Sequence, residues 1–508
     1  MTKSAAQKSP ARQSGGGEAR PPVVAVLGHI DHGKSTLVDC IKKTNITASE
    51  AGGITQHVGA YEVRHRTKDG RETMITLLDT PGHEAFSGIR TRSTTLADMA
   101  ILVVSAEDGV KPQTEEVIKY IRESSLPFIV ALTKVDKPTA DIARAKQSLA
   151  ENEIYVEGYG GDTSVVDVSG KTGKGVDELL DMISLMSEIN AKVATRDVLG
   201  SGVIIETRRD AKRGVIAVGI IQNGTLSTGL FAASRGAVAP VRFLLDSEGN
   251  QVESLSFSSP VQIAGWDEMP EIGAEFKTFL KKEEALEYAK TEKKTAAPKT
   301  ADKTSENMTL LPLVIKADTA GSLEAVLGEI SGLARERIAP KIIFSGLGGI
   351  NENDIKLALS GSRATIFGFN VKTEAKAGLL AERSGVPIFD FNIIYEFVDK
   401  VKALLAEKEP RIEVEETEGR AKVLKLFDAS KGKQILGARV LEGQIKRGAQ
   451  IKILRREIEL GRGRIKELQQ SKIAAEMVNE GIEFGAMVES KFEIAPGDTL
   501  EAINLVTK

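Results

Sequence analysis

The chain has 508 residues, of which 41% are hydrophobic and 27% are charged, and its formal net charge is −3. At ~100–200 residues per domain, this length corresponds to about three to five domains. Because no apolar run is long enough to span a membrane and the N-terminus lacks an apolar segment, we exclude a transmembrane helix and a secretory signal peptide. We therefore expect a cytoplasmic protein, and its single cysteine, Cys40, excludes an internal disulfide.

A phosphate-binding loop is predicted between an apolar strand at residues 23–27 and the helix that follows. The intervening residues have the spacing G-x-x-x-x-G-K-S, in which glycines allow backbone amides to surround phosphate oxygens. Lys34 adds a mobile positive charge, and Ser35 offers a hydroxyl to Mg²⁺. The alternative is a glycine-rich turn without a ligand, which the flanking strand and helix disfavour. The candidate phosphate ligands are Gly28, Asp31, His32, Gly33, Lys34, Ser35 and Thr36.

A second motif follows the apolar strand at residues 75–78, where the sequence reads Asp-Thr-Pro-Gly-His. Asp79 is suited to hold Mg²⁺ through water, and the amide of Gly82 is suited to reach a γ-phosphate. All five histidines of the chain lie in this first part, and His29 and His32 are expected mostly to shape loops. His83 is different because it follows Gly82 directly, so we predict that it orients an attacking water.

Two further strand ends predict a guanine site. In Thr133-Lys134-Val135-Asp136 a carboxylate can accept two hydrogen bonds from the N1 and N2 edge of guanine, which adenine lacks. Asp136 therefore favours GTP over ATP, and the stem of Lys134 is expected to cover the base. Ser169, Gly170 and Lys171 are suited to backbone contact with the guanine carbonyl. The alternative is that both segments are ordinary loops.

The hydrophobic patterns divide the chain into successive parts of a multidomain fold, α/β plus β. The first α/β part alternates strands and helices, whereas short β runs with turn signals predict the two barrels. We predict a disordered tail at 1–20, a nucleotide-binding α/β domain at 21–197, a β-barrel at 198–281, a helix and flexible linker at 282–308, a second α/β domain at 309–392, a connecting helix at 393–410 and a C-terminal β-barrel at 411–508.

The C-terminal part contains a basic stretch. Residues 431–466 include 11 Lys or Arg and 3 Asp or Glu, an excess of eight positive charges. One interpretation is a solvated basic face, and the other is contact with an RNA backbone.

At this point the motifs resemble the bacterial translation initiation factor 2 family. The switch I segment at residues 50–61 and the switch II segment at residues 79–86 carry the resemblance, together with the domain order from residue 21 onward. The resemblance implies a P-loop GTPase that requires GTP and Mg²⁺, binds initiator formylmethionyl-tRNA and both ribosomal subunits, and hydrolyses GTP on the ribosome. It also implies a monomer without membrane contact, in a short form that lacks the family's long N-terminal extension.

Carried over position by position, the resemblance assigns roles around the phosphates. Lys34 and the amides of residues 31–35 would hold phosphates, and Ser35, Thr55 and Asp79 would hold Mg²⁺. The predicted catalytic residues are His83, Ile30, Ile54 and Asp31, in which the two isoleucines resemble an apolar gate that restrains the histidine.

This sequence departs from the family pattern at several sites. Thr133 stands where the family has asparagine, which predicts weaker nucleotide binding, and Gly170 replaces an alanine. In the tRNA pocket implied for the last barrel, Lys466, Glu483 and Gly485 match the family. Four other positions do not match, so recognition of the formyl group is an open question: Ala438, Glu467, Leu468 and Phe484.

Two other functions compete with this interpretation. One is an aminoacyl-tRNA carrier of the elongation-factor type, which the second α/β domain and long helix disfavour. The other is a nearly non-hydrolytic, GTP-dependent binding module for ribosomes, which the presence of His83 and Thr55 disfavours.

Overall fold

The computed structural model describes residues 17–44, 55–293, 308–335, 337–360, 363–410, 413–430, 432–471 and 473–507. The chain forms two compact units, Met1–Lys408 and Glu409–Lys508, which are described separately below. In the described residues, no helix is both long and apolar enough to cross a membrane.

The N-terminal α/β domain is built on a six-stranded sheet in the order β3-β4-β2-β5-β6-β7. Strands β2 and β4 to β7 run parallel, and β3 is an antiparallel edge that the sequence patterns did not predict. Because helices cover both faces, the central strands are apolar throughout. The elements are β1 (Glu18–Ala19), β2 (Val23–Gly28), α1 (Lys34–Lys42), β3 (Gly59–Arg66), β4 (Glu72–Asp79), a 3-10 helix (Glu84–Phe86), α2 (Ser87–Leu96), β5 (Met99–Ser105), α3 (Pro112–Glu123), β6 (Phe128–Thr133), α4 (Ile142–Glu151), β7 (Val165–Asp167), α5 (Val176–Ile189) and β8 (Val193–Ala194).

The predicted disordered tail is too long by a few residues. Glu18 and Ala19 pair with β8, and Arg20 forms an ion pair of 2.6 Å with Asp98. These contacts fix the chain before the first central strand begins, so the prediction of disorder is wrong for residues 18–20. Residues 1–16 lie outside the described part.

The next domain is entirely β. Eight of its ten strands form one sheet in the order β13-β12-β18-β9-β10-β17-β14-β15, and β11 pairs separately with β16. The residue after β17 returns to the edge strand β13, where Asp267 N donates to Val238 O at 3.0 Å. The sheet therefore curls around an apolar interior that includes Phe276 and Trp266. The strands are β9 (Ser201–Asp210), β10 (Gly214–Asn223), β11 (Thr225–Ser227), β12 (Phe231–Ser234), β13 (Ala237–Pro240), β14 (Leu244–Leu245), β15 (Gln251–Val252), β16 (Ser254–Ser256), β17 (Pro260–Trp266) and β18 (Glu275–Phe279).

The second α/β domain follows helix α6 (Lys282–Lys293) and residues 294–307, which contain most of the predicted linker and lie outside the described part. Its four parallel strands have the order β20-β19-β21-β22. The elements are β19 (Thr309–Ala317), α7 (Ala320–Ser331), β20 (Ile338–Leu347), α8 (Glu352–Leu359), β21 (Thr365–Phe369), α9 (Ala375–Ser384), β22 (Ile388–Phe391) and α10 (Ile394–Lys408).

A shared apolar cluster joins the two α/β domains. Phe86, at the end of the switch II segment, and Ile89 pack in the same buried cluster as Leu313 and Phe397. The start of the connecting helix α10 therefore lies against the nucleotide-sensing side of the first domain.

The second unit is a closed β-barrel. Six strands follow one another in the order β23-β30-β25-β26-β29-β24, and β24 pairs back with β23. The multidomain fold, α/β plus β, is therefore confirmed. The strands are β23 (Glu413–Ser430), β24 (Lys433–Lys446), β25 (Gln450–Arg455), β26 (Ile458–Gln470), β27 (Ile473–Ala474), β28 (Met477–Asn479), β29 (Glu483–Ser490) and β30 (Thr499–Thr507).

Candidate nucleotide-binding site

The phosphate loop connects the end of β2 to the start of α1. Gly28 has a φ of +153°, and a Cβ atom there would lie 2.4 Å from the carbonyl oxygen of Val103, so only glycine fits between the two strands. Gly33 has a φ of +87° and forms the N-cap of α1. The first helical turn thus presents backbone amides where an anion is stabilised by the helix dipole.

Lys34 is folded onto its own loop. Its ammonium group donates to the carbonyl oxygens of Gly28 at 3.0 Å and of His29 at 2.6 Å. Burial lowers the pKa of Lys34 to about 8, and the nearby Asp79 carboxylate partly opposes this shift. A bound phosphate would supply the negative charge that favours the protonated form.

One cavity collects most of the predicted ligands. Of the predicted residues that the structure describes, four do not line it, and three of these contact residues that do: Gly28 O accepts from Lys34, His32 O accepts from Thr133, and Ser169 donates to Asp136. The fourth, Asp79, is buried at the end of β4. The predicted residues that line the cavity are Ile30, Asp31, Gly33, Lys34, Ser35, Thr36, Thr55, Gly82, His83, Thr133, Lys134, Asp136, Gly170 and Lys171.

The hydroxyl groups of Ser35 and Thr55 meet at the phosphate end of this cavity. They form a short hydrogen bond that joins Ser35 of the phosphate loop to Thr55 of switch I. Mg²⁺ prefers hard oxygen ligands and usually keeps several waters, so this pair and the Asp79 carboxylate suit it. Ile54, the other half of the predicted apolar gate, lies outside the described residues.

Gly82 and His83, from switch II, also line this cavity. A Cβ atom on Gly82 would lie 2.5 Å from the Lys34 ammonium nitrogen and 3.0 Å from Ile30 N, so the chain approaches the phosphate loop as closely as glycine permits. His83 Nδ1 accepts a hydrogen bond from Ala85 N at 2.9 Å. Burial, and secondarily the Arg90 guanidinium, lower the pKa of His83 to about 4, so the imidazole is neutral at physiological pH.

Arg90 fixes the backbone of the switch II loop. Its side chain is 1% exposed and donates to the carbonyl oxygens of Pro81 and His83. It also forms a 2.8 Å ion pair with Glu116 of α3. The buried charge is thus paired, and it connects the loop that carries His83 to helix α3 of the same domain.

The base end of the cavity contains the predicted guanine ligand. The Asp136 carboxylate accepts a hydrogen bond from Ser169 Oγ at 2.7 Å, and this bond lowers the pKa of Asp136. The Lys134 ammonium lies 3.6 Å from Glu107 and 3.8 Å from Asp108, which directs its stem along the cavity wall. The hydrogen bond from Ser169 therefore favours the ionised carboxylate and holds it at the edge of the cavity.

Two residues at the base end of the cavity, Thr133 and Gly170, differ from the family pattern, and each lies close to backbone atoms of a neighbouring segment. The Thr133 hydroxyl forms a short hydrogen bond to His32 O and lies 3.3 Å from Val104 O. A Cβ atom on Gly170 would lie 2.9 Å from the carbonyl carbon and oxygen of Thr36. The loop after β7, which carries Gly170, thus lies closer to α1 than an alanine allows.

The C-terminal barrel brings the predicted tRNA residues together on neighbouring strands. Phe484 pairs with Ala438, and Gly485 pairs with Gln469. Glu483 is exposed and pairs with Arg439, whereas Lys466 forms a 3.0 Å ion pair with Glu489. The departing side chains Ala438, Leu468 and Phe484 are buried in the barrel interior.

Acidic residues elsewhere in the barrel neutralise much of the basic stretch. Because paired cations attract a polyanion less than free ones, these pairs weaken the RNA-backbone interpretation. The ion pairs are Lys446 with Glu418, Arg447 with Glu476, Lys452 with Glu415, Arg455 with Asp498, Arg462 with Glu415, and Lys466 with Glu489.

Three family models match successive parts of the chain. The Elongation factor Tu GTP binding domain matches residues 20–188, Elongation factor G domain 2 matches residues 200–279, and Translation-initiation factor 2 matches residues 286–402. Translation initiation factor IF-2 of Caulobacter sp. (strain K31) is 39% identical over 504 residues, which cover 96% of this chain and 48% of the relative. The chain belongs to the translation initiation factor IF-2 family. Its first domain is the GTP-binding domain of a translational GTPase.

The chain spans about half the length of the curated IF-2 relatives that it matches. The IF-2 of Carboxydothermus hydrogenoformans is likewise 39% identical over 504 residues, which cover 96% of this chain and 60% of that protein. The crystal structure of GDP-bound aIF5B from Aeropyrum pernix is 26% identical, covers 96% of this chain and 92% of its own, and has a TM-score of 0.43.

Sequence reasoning missed several residues of this IF-2 family site. Phe86 and Lys137 line the cavity, Arg90 holds switch II, and Tyr395 packs on His83 with 4.3 Å between ring centroids. Phe86 is the last residue of the switch II segment and Lys137 directly follows Asp136, so examining every residue in and next to these motifs would have found them. Tyr395 gave no local signal because it belongs to another domain.

Proposed function

We propose that this chain is a translation initiation factor that hydrolyses GTP on the ribosome. In this proposal it acts in the cytoplasm as a monomer, binds initiator formylmethionyl-tRNA, places it on the small subunit and promotes subunit joining. Membership of the IF-2 family supports the proposal. The observation that carries it is the convergence of Lys34, Ser35, Thr55 and His83 on one cavity whose other end contains Asp136.

In this mechanism the first domain binds and orients GTP. Lys34 and the amides at the start of α1 hold the phosphates, and Asp136 selects guanine. Ser35, Thr55 and Asp79 would hold Mg²⁺, which supplies positive charge where the phosphate oxygens become more negative. Closure of Thr55 onto Ser35 brings switch I to the outer phosphate, so the state of switch I reports whether a γ-phosphate is present.

His83 acts by orienting water rather than by removing a proton. Because Nδ1 accepts from Ala85 N, the proton of the neutral imidazole is on Nε2. Nε2 can therefore donate a hydrogen bond to the oxygen of an attacking water. A histidine with a pKa of about 4 is a weak general base at neutral pH, which agrees with this positioning role.

The decisive measurement is GTP turnover with and without ribosomes, for the native protein and for His83→Ala. We expect strong stimulation by ribosomes in the native protein and loss of that stimulation in the variant. His65→Ala is the control, because His65 pairs with Asp181 away from the cavity and its loss removes an imidazole without altering the site. Turnover that is indifferent to ribosomes would contradict the proposal and favour a GTP-dependent binding module.

We also propose that the C-terminal barrel binds the aminoacyl end of initiator tRNA through Lys466, Glu483 and Gly485, with a relaxed preference for the formyl group. The proposal of relaxed preference rests on Leu468 and Phe484, whose side chains fill the barrel interior beside the matched residues. A negative Glu467 in the same strand would disfavour a nearby phosphate. Equilibrium binding of formylated and unformylated initiator tRNA tests this proposal, and a strong formyl preference would contradict it.

A further inference from the structure

The catalytic histidine of the proposed reaction is covered by a residue from another domain. Tyr395 lies in the first turn of α10, and its ring centroid is 4.3 Å from that of His83 at an interplanar angle of 56°. Phe86 contacts the same imidazole from a second direction, at 6.1 Å and 82°. Two aromatic rings therefore pack around the imidazole from different directions.

The enclosed arrangement does not allow His83 to act. Nδ1 is occupied by Ala85 N, so only Nε2 is left to touch a water. Nε2 is buried and has no hydrogen-bond partner among the described residues. Since a water cannot reach a buried atom, the imidazole must change its orientation or lose part of its cover before it can position the attacking water.

The same end of α10 also contacts switch I. Asn392, two residues before the helix, accepts a hydrogen bond through its carbonyl oxygen from Gln56 Nε2 at 2.7 Å. Gln56 directly follows Thr55, one of the two residues whose hydroxyls meet at the phosphate end of the cavity. Residues 392–395 therefore contact both switch segments at once.

Tyr395 is placed so that its contact can break without disturbing the core. Tyr395 as a residue is 48% exposed, whereas Phe397 and Val401 of the same helix are fully buried in the cluster that joins the two α/β domains. Losing the Tyr395 ring thus removes cover from His83 and leaves the packing of α10 intact.

We propose that Tyr395 is a positioning residue that holds His83 withdrawn and shielded from water until the start of α10 moves. The inference rests on the proposed function, because it describes how hydrolysis at that site is restrained. A partner that shifts α10 would release His83 and the Gln56 contact together, which couples activation of water to the position of the second α/β domain.

The test compares Tyr395→Ala with Tyr395→Phe in the full chain. Imidazole NMR gives the pKa of each histidine, and the His83 signal is identified by its loss in His83→Ala. Tyr395→Ala should raise the pKa of His83 from about 4 toward its ordinary value of 6.5, because the imidazole gains solvent. Turnover of GTP without ribosomes should rise roughly two- to tenfold, the factor that corresponds to losing one aromatic pair. Tyr395→Phe keeps the ring and should behave as the native protein does.

Two results would overturn the inference. One is an unchanged His83 pKa and unchanged turnover in Tyr395→Ala, and the other is a raised pKa with lowered turnover, which would mean that the ring assists hydrolysis. GDP binding confirms that each variant is folded. If the native protein fails to hydrolyse GTP even with ribosomes, the proposed function fails. In that case the NMR titration still decides whether Tyr395 shields His83.

Discussion

The side-chain hydroxyl of Thr133 donates a hydrogen bond to the backbone carbonyl oxygen of His32, so the base-binding loop is tied directly to the phosphate loop. Both residues are buried, and His32 is neutral because burial lowers its pKa to about 3. The two loops therefore keep their spacing without the asparagine that the family uses at this position. A hydroxyl has no amide donor, however, so it cannot also make the contacts of an asparagine side chain with the base.

Replacement of Thr133 by valine should weaken nucleotide binding. Valine has the same shape but removes the hydroxyl, and a lost buried hydrogen bond costs about 1 kcal/mol, or roughly fivefold in affinity. Thr133→Asn is the matched variant, since it restores an amide, and it should bind GDP at least as tightly as the native protein. Titration of each variant with a fluorescent GDP analogue measures its affinity for the nucleotide. Unchanged affinity in Thr133→Val would mean that the tie between the loops has no role in binding.

Replacement of Gly170 by alanine should also weaken binding, although alanine is the residue that the family uses. The new Cβ would lie 2.9 Å from backbone atoms of Thr36 in α1, so the loop that carries Ser169 must move away from the helix. We expect GDP affinity to fall about three- to tenfold, the effect of ~1 kcal/mol of strain. Gly328→Ala is the control, because a Cβ atom there meets no neighbour within 4 Å. Tighter binding by Gly170→Ala would contradict the geometry.

Replacement of Gly82 by alanine should separate GTP binding from GDP binding. A Cβ atom there would press on the Lys34 ammonium and on Ile30 N, so switch II must retreat from the outer phosphate position. We expect GTP affinity to fall about tenfold, which corresponds to ~1.4 kcal/mol, with a smaller effect on GDP. Equal losses for both nucleotides would show that Gly82 shapes the loop and does not sense the γ-phosphate.

The sequence predicted what depends on local spacing. Gly28 to Thr36 form a phosphate loop because strand, glycines and helix are contiguous, and Asp79 and Asp136 follow strands that end at the same edge of the sheet. It did not predict contacts between distant elements. The covering of His83 by Tyr395 depends on how the second α/β domain packs, and the acidic partners of the basic stretch come from other barrel strands. Propensity and periodicity describe neither kind of contact.

The joint between the β domain and the second α/β domain depends on one buried carboxylate. Glu206 is 5% exposed, and its Oε1 accepts hydrogen bonds from Thr207 N at 2.9 Å and from Gly321 N, in the first turn of α7, at 3.1 Å. Burial raises the pKa of Glu206 above its ordinary value of 4.5, because desolvation outweighs these hydrogen bonds. Glu206 is therefore protonated more readily in the folded protein than in the unfolded chain.

The raised pKa of Glu206 determines the direction in which the stability of the protein changes with pH. The folded protein holds the proton of Glu206 at pH values where the unfolded chain has released it, so the free energy of unfolding decreases as pH rises from about 4.5 to the folded-state pKa. Glu206→Gln keeps an oxygen acceptor for the Gly321 amide but cannot ionise. Relative to the native protein, it should thus gain stability as pH rises through this window and keep that gain at pH values above it.

Thermal unfolding of the full chain between about pH 4.5 and pH 8 measures the difference in stability between Glu206→Gln and the native protein. Glu275→Gln, at an exposed position on a neighbouring strand of the same sheet, is the control and should show no such pH-dependent gain. If the stability difference between Glu206→Gln and the native protein is constant across this range, then Glu206 is ionised with an ordinary pKa in the folded protein. The two backbone amides would then compensate fully for its burial.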